Sequence, residues 1–249
     1  MATALITGAS GGMGKDMAIL LSKKGYDIIL VARNEEKLNE VAKQIGTQVT
    51  VIPMDLSIRK NCIKLHSMAK NIDILINNAG FGAWGEFYYS SLKNELNMID
   101  LNISALHILT KLYLRDFVRR NKGYILNVAS LASFGSGPLM ATYYATKAYV
   151  YKLTTAINEE LRQRRSKVHI SLFCPGPVET GFNDRANVTF SIKPLDSMTA
   201  AKKALIGMFM KKTVILPSFK DWLTMAACKF APLRLVLIAC FHIQKSKSN

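Results

Sequence analysis

The stretch ATALITGASGGMG, residues 2–14, sets a run of strand formers directly against a glycine-rich turn. Residues 2–7 (ATALIT) read as a short apolar strand. In TGASGGMG, residues 7–14, Gly8, Gly12 and Gly14 permit a tight turn, a close approach of backbone to a phosphate, and close packing of the next helix on the sheet. A helix that starts there points free N–H groups and the positive end of its dipole at an anion. A glycine turn alone is a weak signal. Set between a first strand and a helix, it points to a phosphate-bearing ligand.

Beyond that turn, short β-branched or aliphatic runs alternate with helical patterns. The strand candidates are 2–7, 27–32 (DIILVA), 48–54 (QVTVIPM), 73–77 (DILIN), 123–128 (GYILNV), 167–173 (KVHISLF) and 213–216 (TVIL). Near-continuous apolar strands indicate a sheet buried on both faces, as in parallel sheets. In the helical segment 34–45, Leu38, Val41, Ala42 and Ile45 share one face. The alternation predicts a single α/β domain with a doubly wound, parallel seven-stranded sheet and helices on both faces. Residues 176–198, rich in Pro, Gly and Asn, read as a long loop of the kind that forms substrate lids. Residues 217–249 form an apolar tail interrupted by charge.

The chain has 249 residues, 49% apolar and 20% charged, an ordinary globular balance. Its net charge of +16 raises nucleic acid and anionic membranes as partners. Much of the excess, however, sits where helices should end, as at Lys23, Lys24, Arg119, Arg120, Arg162 and Arg164, where cations complement the helix dipole. No nucleic-acid module is recognisable. Cys62, Cys174, Cys228 and Cys240 are scattered without metal or redox spacing, so no metal site is expected. With no basic leader and cleavage site after Met1, a reduced, cytoplasmic chain is the expectation.

The end of the second strand bears on cofactor choice. An acid there bonds a ribose 2′-OH, whereas a base suits a 2′-phosphate. Ala32 is followed by Arg33, which favours NADP(H). A second chemical signal is TYYATKAYVYK, residues 142–152. A phenol is a poor acid–base group near neutrality, but a neighbouring ammonium lowers its pKa. Tyr143 lies four residues and Tyr144 three residues before Lys147, so helix geometry leaves both open.

Together these motifs resemble the short-chain dehydrogenase/reductase family, over about residues 3–216. The turn matches its TGxxxGxG pattern, and Ala32 stands where its NAD-dependent members usually carry the acid. The resemblance implies a Rossmann-type domain and an active oxidoreductase of hydroxysteroid dehydrogenase or 3-oxoacyl reductase type. Its YxxxK pattern selects Tyr143 as acid/base and Lys147 as the group that binds the nicotinamide ribose and lowers the tyrosine pKa. It also implies Ser130 in NVAS holding the substrate oxygen, with Ser133 a weaker competitor, and Asn102 in DLNIS holding a water in a proton relay. The implied cofactor contacts are Gly8, Ser10, Gly12, Met13 and Gly14 in the turn; Arg33; Asp55 and Leu56 after the third strand; and Asn78, Ala79 and Gly80 in NNAG. Tyr143 and Lys147 join them, with Pro175, Gly176, Val178 and Thr180 in CPGPVET.

Bulky apolar residues surround the implied catalytic positions: Phe81, Trp84, Phe87 and Tyr88 after NNAG, Phe134, Leu139 and Met140 after Ser130, and Phe182, Val188 and Phe190 in the loop. With Ser130 and Tyr143 holding the reacting group, Trp84, Phe134, Met140 and Phe182 are the expected substrate contacts. They suit a large apolar ketone or alcohol such as a steroid, a bile acid or a 3-oxoacyl thioester, and so a role in lipid metabolism. A homodimer or homotetramer is expected. Residues 202–249 hold nine Lys/Arg and one acid, Asp221. The tail has no uncharged run long enough to span a bilayer, and packing on protein is expected ahead of contact with a membrane surface.

Overall fold

The computed structural model describes residues 2–180 and 194–246. Seven parallel strands form one sheet: β1 (Thr3–Thr7), β2 (Asp27–Ala32), β3 (Val49–Pro53), β4 (Ile74–Asn77), β5 (Tyr124–Val128), β6 (His169–Phe173) and a two-residue β7 (Val214–Ile215). Their spatial order is β3-β2-β1-β4-β5-β6-β7. The order reverses between β1 and β4, and a crevice opens there beyond the carboxyl ends of the strands, where doubly wound sheets bind ligands.

Strand side chains alternate between two apolar layers. Ala4 and Ile6 enter the layer under α1 (Gly12–Ser22), α2 (Glu35–Ala42) and α7 (Ser197–Phe209), with Met17, Leu38 and Met208. Leu5 enters the opposite layer under α3 (Arg59–Met68), α5 (Leu106–Arg120) and α6 (Ala141–Gln163), with Leu65, Tyr113 and Leu161. Burial on both faces explains why the strands read as unbroken apolar runs. The expected face of the 34–45 segment is also seen: Leu38 and Val41 are buried, and Ala42 and Ile45 pack against that layer.

Three details position the site. Between α4 (Leu92–Ile99) and α5, residues Asp100–Ala105 form a π-helical turn that contains Asn102; such turns cluster at functional sites. Residues Leu131–Phe134 make a short 3₁₀ turn after β5. After β7, α8 (Phe219–Phe230) and α9 (Leu233–Lys245) form a helical hairpin. Among the described residues no helix is long and apolar enough to cross a membrane.

Candidate active site

The glycine turn is packed to the limit of backbone approach. A Cβ on Gly14 would collide with the Gly8 carbonyl oxygen, and Gly8 itself has φ +66°. Thr7 locks this turn to β4. Its hydroxyl donates to the Ile76 carbonyl and accepts from the backbone N–H groups of Asn78 and Ala79, each at 3.0 Å. The Asn78 side-chain amide donates to the carbonyls of Thr7 and Gly8. Thr7 was missed in the sequence, where it reads only as the last strand residue. Gly11 precedes α1 and provides no side-chain cap, and a Cβ on it would meet nothing within 4 Å. The helix start thus has no side-chain cap, which leaves its first-turn N–H groups for an anion such as a diphosphate. Ser10 and Met13 lie in this turn, half-buried. Thr180 lies against Gly12 from the other side, its methyl 2.8 Å from where a Cβ would stand.

Arg33 is exposed at the end of β2 and makes no hydrogen bond or ion pair among the described residues. The Ala9 N–H donates to the Val31 carbonyl at 3.3 Å, which brings the glycine turn alongside that strand end. Asp55 Oδ1 accepts from the Ser57 backbone and hydroxyl, so one carboxylate oxygen shapes its own turn. The Leu56 side chain is in the core, leaving only its backbone for a ligand. Pro175 is buried, and its carbonyl accepts from Leu131 N–H and the Ser130 hydroxyl, joining the loop after β6 to the loop after β5. Gly176 lies against Leu131, and Val178 is buried.

The structure brings Ser130, Tyr143, Lys147 and Asn102 into one cluster and separates the tyrosines of α6. Tyr143 is buried, and its hydroxyl shares a hydrogen bond with Ser130. Lys147 Nζ lies 5.7 Å from the Tyr143 ring centroid and donates to the Val128 carbonyl at 3.1 Å. Tyr144 turns instead toward α9, while Tyr149 bonds His107 and Tyr151 packs on Phe134. Ser133 donates to the Lys147 carbonyl, which commits it to α6.

The electrostatics differ from the expectation. Burial pushes the Tyr143 phenol up to about 12, although the Ser130 hydrogen bond opposes the shift. Burial also pulls Lys147 down to about 8. Desolvation therefore outweighs the expected lowering of the phenol by the lysine. Beneath both lies Cys174, whose thiol burial likewise raises to about 12.

Asn102 is almost fully buried, and its side chain is engaged throughout. Oδ1 accepts from Phe81 N–H, and Nδ2 donates to the Phe81 carbonyl and to the Thr146 hydroxyl. Thr146, also missed in the sequence, donates to the Tyr143 carbonyl. The pair pins the NNAG loop to the turn of α6 that carries the tyrosine. A Cβ on Gly80 would stand 3.0 Å from Asn102 Oδ1 and 3.4 Å from Lys147 Nζ, filling the space between them.

Of the expected substrate contacts, Trp84 and Met140 share an apolar cluster with Tyr143. Phe134 does not: its ring meets Tyr151 edge-on at 5.1 Å in a separate cluster, because the 3₁₀ turn faces it away. Phe81 is core, while Phe87 and Tyr88 are 66% and 86% exposed. Phe182, Val188 and Phe190, and most of the expected lid, lie outside the described residues. The tail also reaches the Trp84 cluster. The Gln244 carbonyl accepts from Trp84 Nε1 at 2.9 Å, and its amide donates to the Tyr144 hydroxyl at 2.6 Å.

Residues 2–189 match the family model described as short chain dehydrogenase. An uncharacterized oxidoreductase of Staphylococcus epidermidis is 35% identical over 185 residues, covering 71% of this chain and 78% of the relative. A short-chain dehydrogenase from Sphingobium yanoikuyae, solved with NADPH, superposes with a TM-score of 0.84 at 28% identity over 96% of each chain. The bulky-bulky ketone specific alcohol dehydrogenase from Comamonas testosteroni superposes with a TM-score of 0.78 at 27% identity, covering 96% of this chain and 94% of its own.

Proposed function

The chain belongs to the short-chain dehydrogenase family, and from that premise we propose that it interconverts a bulky apolar secondary alcohol and its ketone, using NADP(H). That it is an oxidoreductase acting on CH–OH groups follows from the family. The observation that carries the finer reading is the Ser130–Tyr143 hydroxyl pair beside Lys147, facing an apolar cluster of Trp84 and Met140.

The residues present fit a dinucleotide: a helix N-terminus with no side-chain cap, a glycine turn with no room for a Cβ, and at the end of β2 an exposed arginine with no partner among the described residues. The glycine turn would hold the diphosphate, Arg33 a 2′-phosphate, and Lys147 with NNAG the nicotinamide ribose. Support for NADP(H) also comes from the NADPH complex of the Sphingobium relative. A nicotinamide bound there would supply or accept the hydride. Ser130 then holds the substrate oxygen against Tyr143, and Tyr143 gives it a proton in reduction and takes one in oxidation. At neutral pH the phenol carries its proton and can give it to the substrate oxygen in ketone reduction. Asn102 and Thr146 act by position, since both side chains are spent on holding the Phe81 loop and α6.

The test is a panel of ketosteroids, keto bile acids, 3-oxoacyl thioesters and small ketones, read by NADPH and NADH absorbance. Highest kcat/KM with NADPH and a bulky apolar ketone is expected. Preference for NADH, or for small polar ketones, overturns the corresponding part.

A further inference from the structure

We propose that the α8–α9 hairpin is a docking surface for an anionic lipid bilayer, on which the protein lies with its substrate entrance toward the membrane. The hairpin touches the rest of the protein along a narrow inner strip. Cys228 and Val236 approach Gly135, and Gln244, the only buried residue of the hairpin, bonds Trp84 and Tyr144. Many of its outward side chains are large and apolar. Phe219, Trp222, Leu223 and Phe230 fall within about 100° of one another around α8, and Leu235, Ile238, Phe241 and Ile243 are open on α9. Phe219 and Phe230 are 72% and 86% exposed. Large apolar side chains left open in this number mark an interaction site.

Charge selects the occupant. Lys220 and Lys229 flank the apolar arc of α8, the Lys229 ammonium lying 6.0 Å from the centre of the Tyr151 ring, and Arg234 and Lys245 lie on α9. The one acid, Asp221, is turned to the start of its own helix, where it accepts from the Ser218 hydroxyl and backs onto Gly176. Apolar faces rimmed by lysine and arginine lie in the plane of anionic membranes. A second copy would bring the same cations of a +16 chain face to face, which costs rather than stabilises. Neither helix is long enough to cross a bilayer, so the contact is with the surface. The inner strip of α9 bonds Trp84, which shares an apolar cluster with Tyr143, so docking would set the proposed substrate site beside the phase in which apolar substrates dissolve. That last consequence rests on the proposed substrate class; the docking itself does not.

The test is co-flotation of the full-length protein with vesicles of phosphatidylcholine alone and of phosphatidylcholine with phosphatidylserine, at low and high salt. Wild type should bind the phosphatidylserine vesicles at low salt at least about tenfold more than the neutral ones, and lose much of that binding at high salt. The variants Lys220→Glu/Lys229→Glu and Phe219→Ser/Trp222→Ser should each lose at least about tenfold in partitioning, while thermal melting and turnover of a water-soluble ketone stay at wild-type values. Equal or absent binding to both vesicle types overturns the proposal. So does a dimer in sedimentation that Phe219→Ser/Trp222→Ser dissociates, because the face would then belong to a second copy. These readouts do not depend on substrate identity, so failure of the substrate reading and failure of docking are separable.

Discussion

The β1–β4 crevice and the C-terminal hairpin adjoin neighbouring tyrosines of one helix, yet they are held by opposite means. At the crevice the backbone itself is the structure. Thr7 and Asn78 satisfy a set of turn amides and carbonyls, and no Cβ fits at Gly14. At the hairpin two helices rest on a few side chains, with one buried residue between them. The crevice must place reacting atoms within fractions of an ångström, and rigid backbone does that. The hairpin has only to bound a pocket, and a wall with few anchors can vary with substrate. The contrast predicts that changes near Tyr143 act on turnover, whereas changes near Tyr144 act on substrate affinity and on the seating of the tail.

The largest effect should come from that tyrosine pair. Tyr143→Phe keeps the ring and removes the proton donor, so kcat should fall by about 10²–10⁴-fold while NADPH still binds, as titrated by its fluorescence. Tyr144→Phe should cost less than about tenfold in kcat. A dead Tyr144→Phe enzyme beside a live Tyr143→Phe enzyme would break the comparison and shift every role assigned from the motif by one residue.

Cofactor choice should change next most. Ala32→Asp with Arg33→Ile removes one charge-assisted bond to a 2′-phosphate and adds a repulsion, about 1.5–3 kcal/mol for the bond alone, or roughly ten- to hundredfold in the NADPH/NADH ratio of kcat/KM. An unchanged ratio would show that the exposed Arg33 does not meet the cofactor.

What the sequence made legible divides along the same line. The doubly wound sheet was readable because burial on both faces writes apolar runs into every strand, and the phosphate turn because glycine alone meets its backbone demands. These are local constraints with fixed spacing. Tyr143 and Tyr144 were not separable by helix geometry; the family pattern chose between them, and the structure places Tyr143 with Ser130 and Tyr144 with Gln244. Gln244 lies a hundred residues from Tyr144 and bears no motif, so nothing short of the fold could reveal it. Thr7 and Thr146 were missed because a threonine in a strand or helix carries no signal until its hydroxyl finds a partner. Phe134, Phe87 and Tyr88 looked like pocket lining because composition records that a residue is apolar, not which way it points. Burial, the largest influence on the Tyr143 phenol, leaves no mark in a sequence, where only the neighbouring lysine charge is visible.

That burial yields the third prediction. The unfolded chain keeps Lys147 protonated up to about pH 10.4, whereas the folded, cofactor-free chain holds it at about 8. Between those values the unfolded state binds more protons, so this lysine makes stability rise with pH. Below about 8 its destabilising effect is present in full. Lys147→Met should therefore raise the melting temperature of the cofactor-free protein near pH 7 while impairing turnover. It should also abolish a weakening of NADPH binding that wild type shows as pH rises through about 8 and the ammonium discharges. A melting temperature lowered by Lys147→Met would mean that the bond to Val128 outweighs desolvation.

The smallest effect tests the hairpin's anchor. Gln244→Leu keeps the volume of the side chain and leaves its backbone carbonyl to accept from Trp84, while the amide bond to the Tyr144 hydroxyl is lost. That hydroxyl is half-buried with Cys240 Sγ as a remaining neighbour at 3.5 Å, so the cost should be near 1 kcal/mol in stability, with a several-fold rise in KM and little change in kcat. Tyr144→Phe alone should cost a similar amount by stranding the amide. The double variant should cost less than the sum of the two, because neither polar group is then left without its partner, and a coupling of about 0.5–1 kcal/mol is expected for groups in direct contact. Strict additivity within about 0.3–0.5 kcal/mol would show that this bond does not hold α9 in place and that apolar contact with Gly135 and its neighbours seats the hairpin instead. A fall in kcat as large as that in affinity would show that the hairpin reaches the reacting atoms, erasing the division between rigid crevice and adjustable wall.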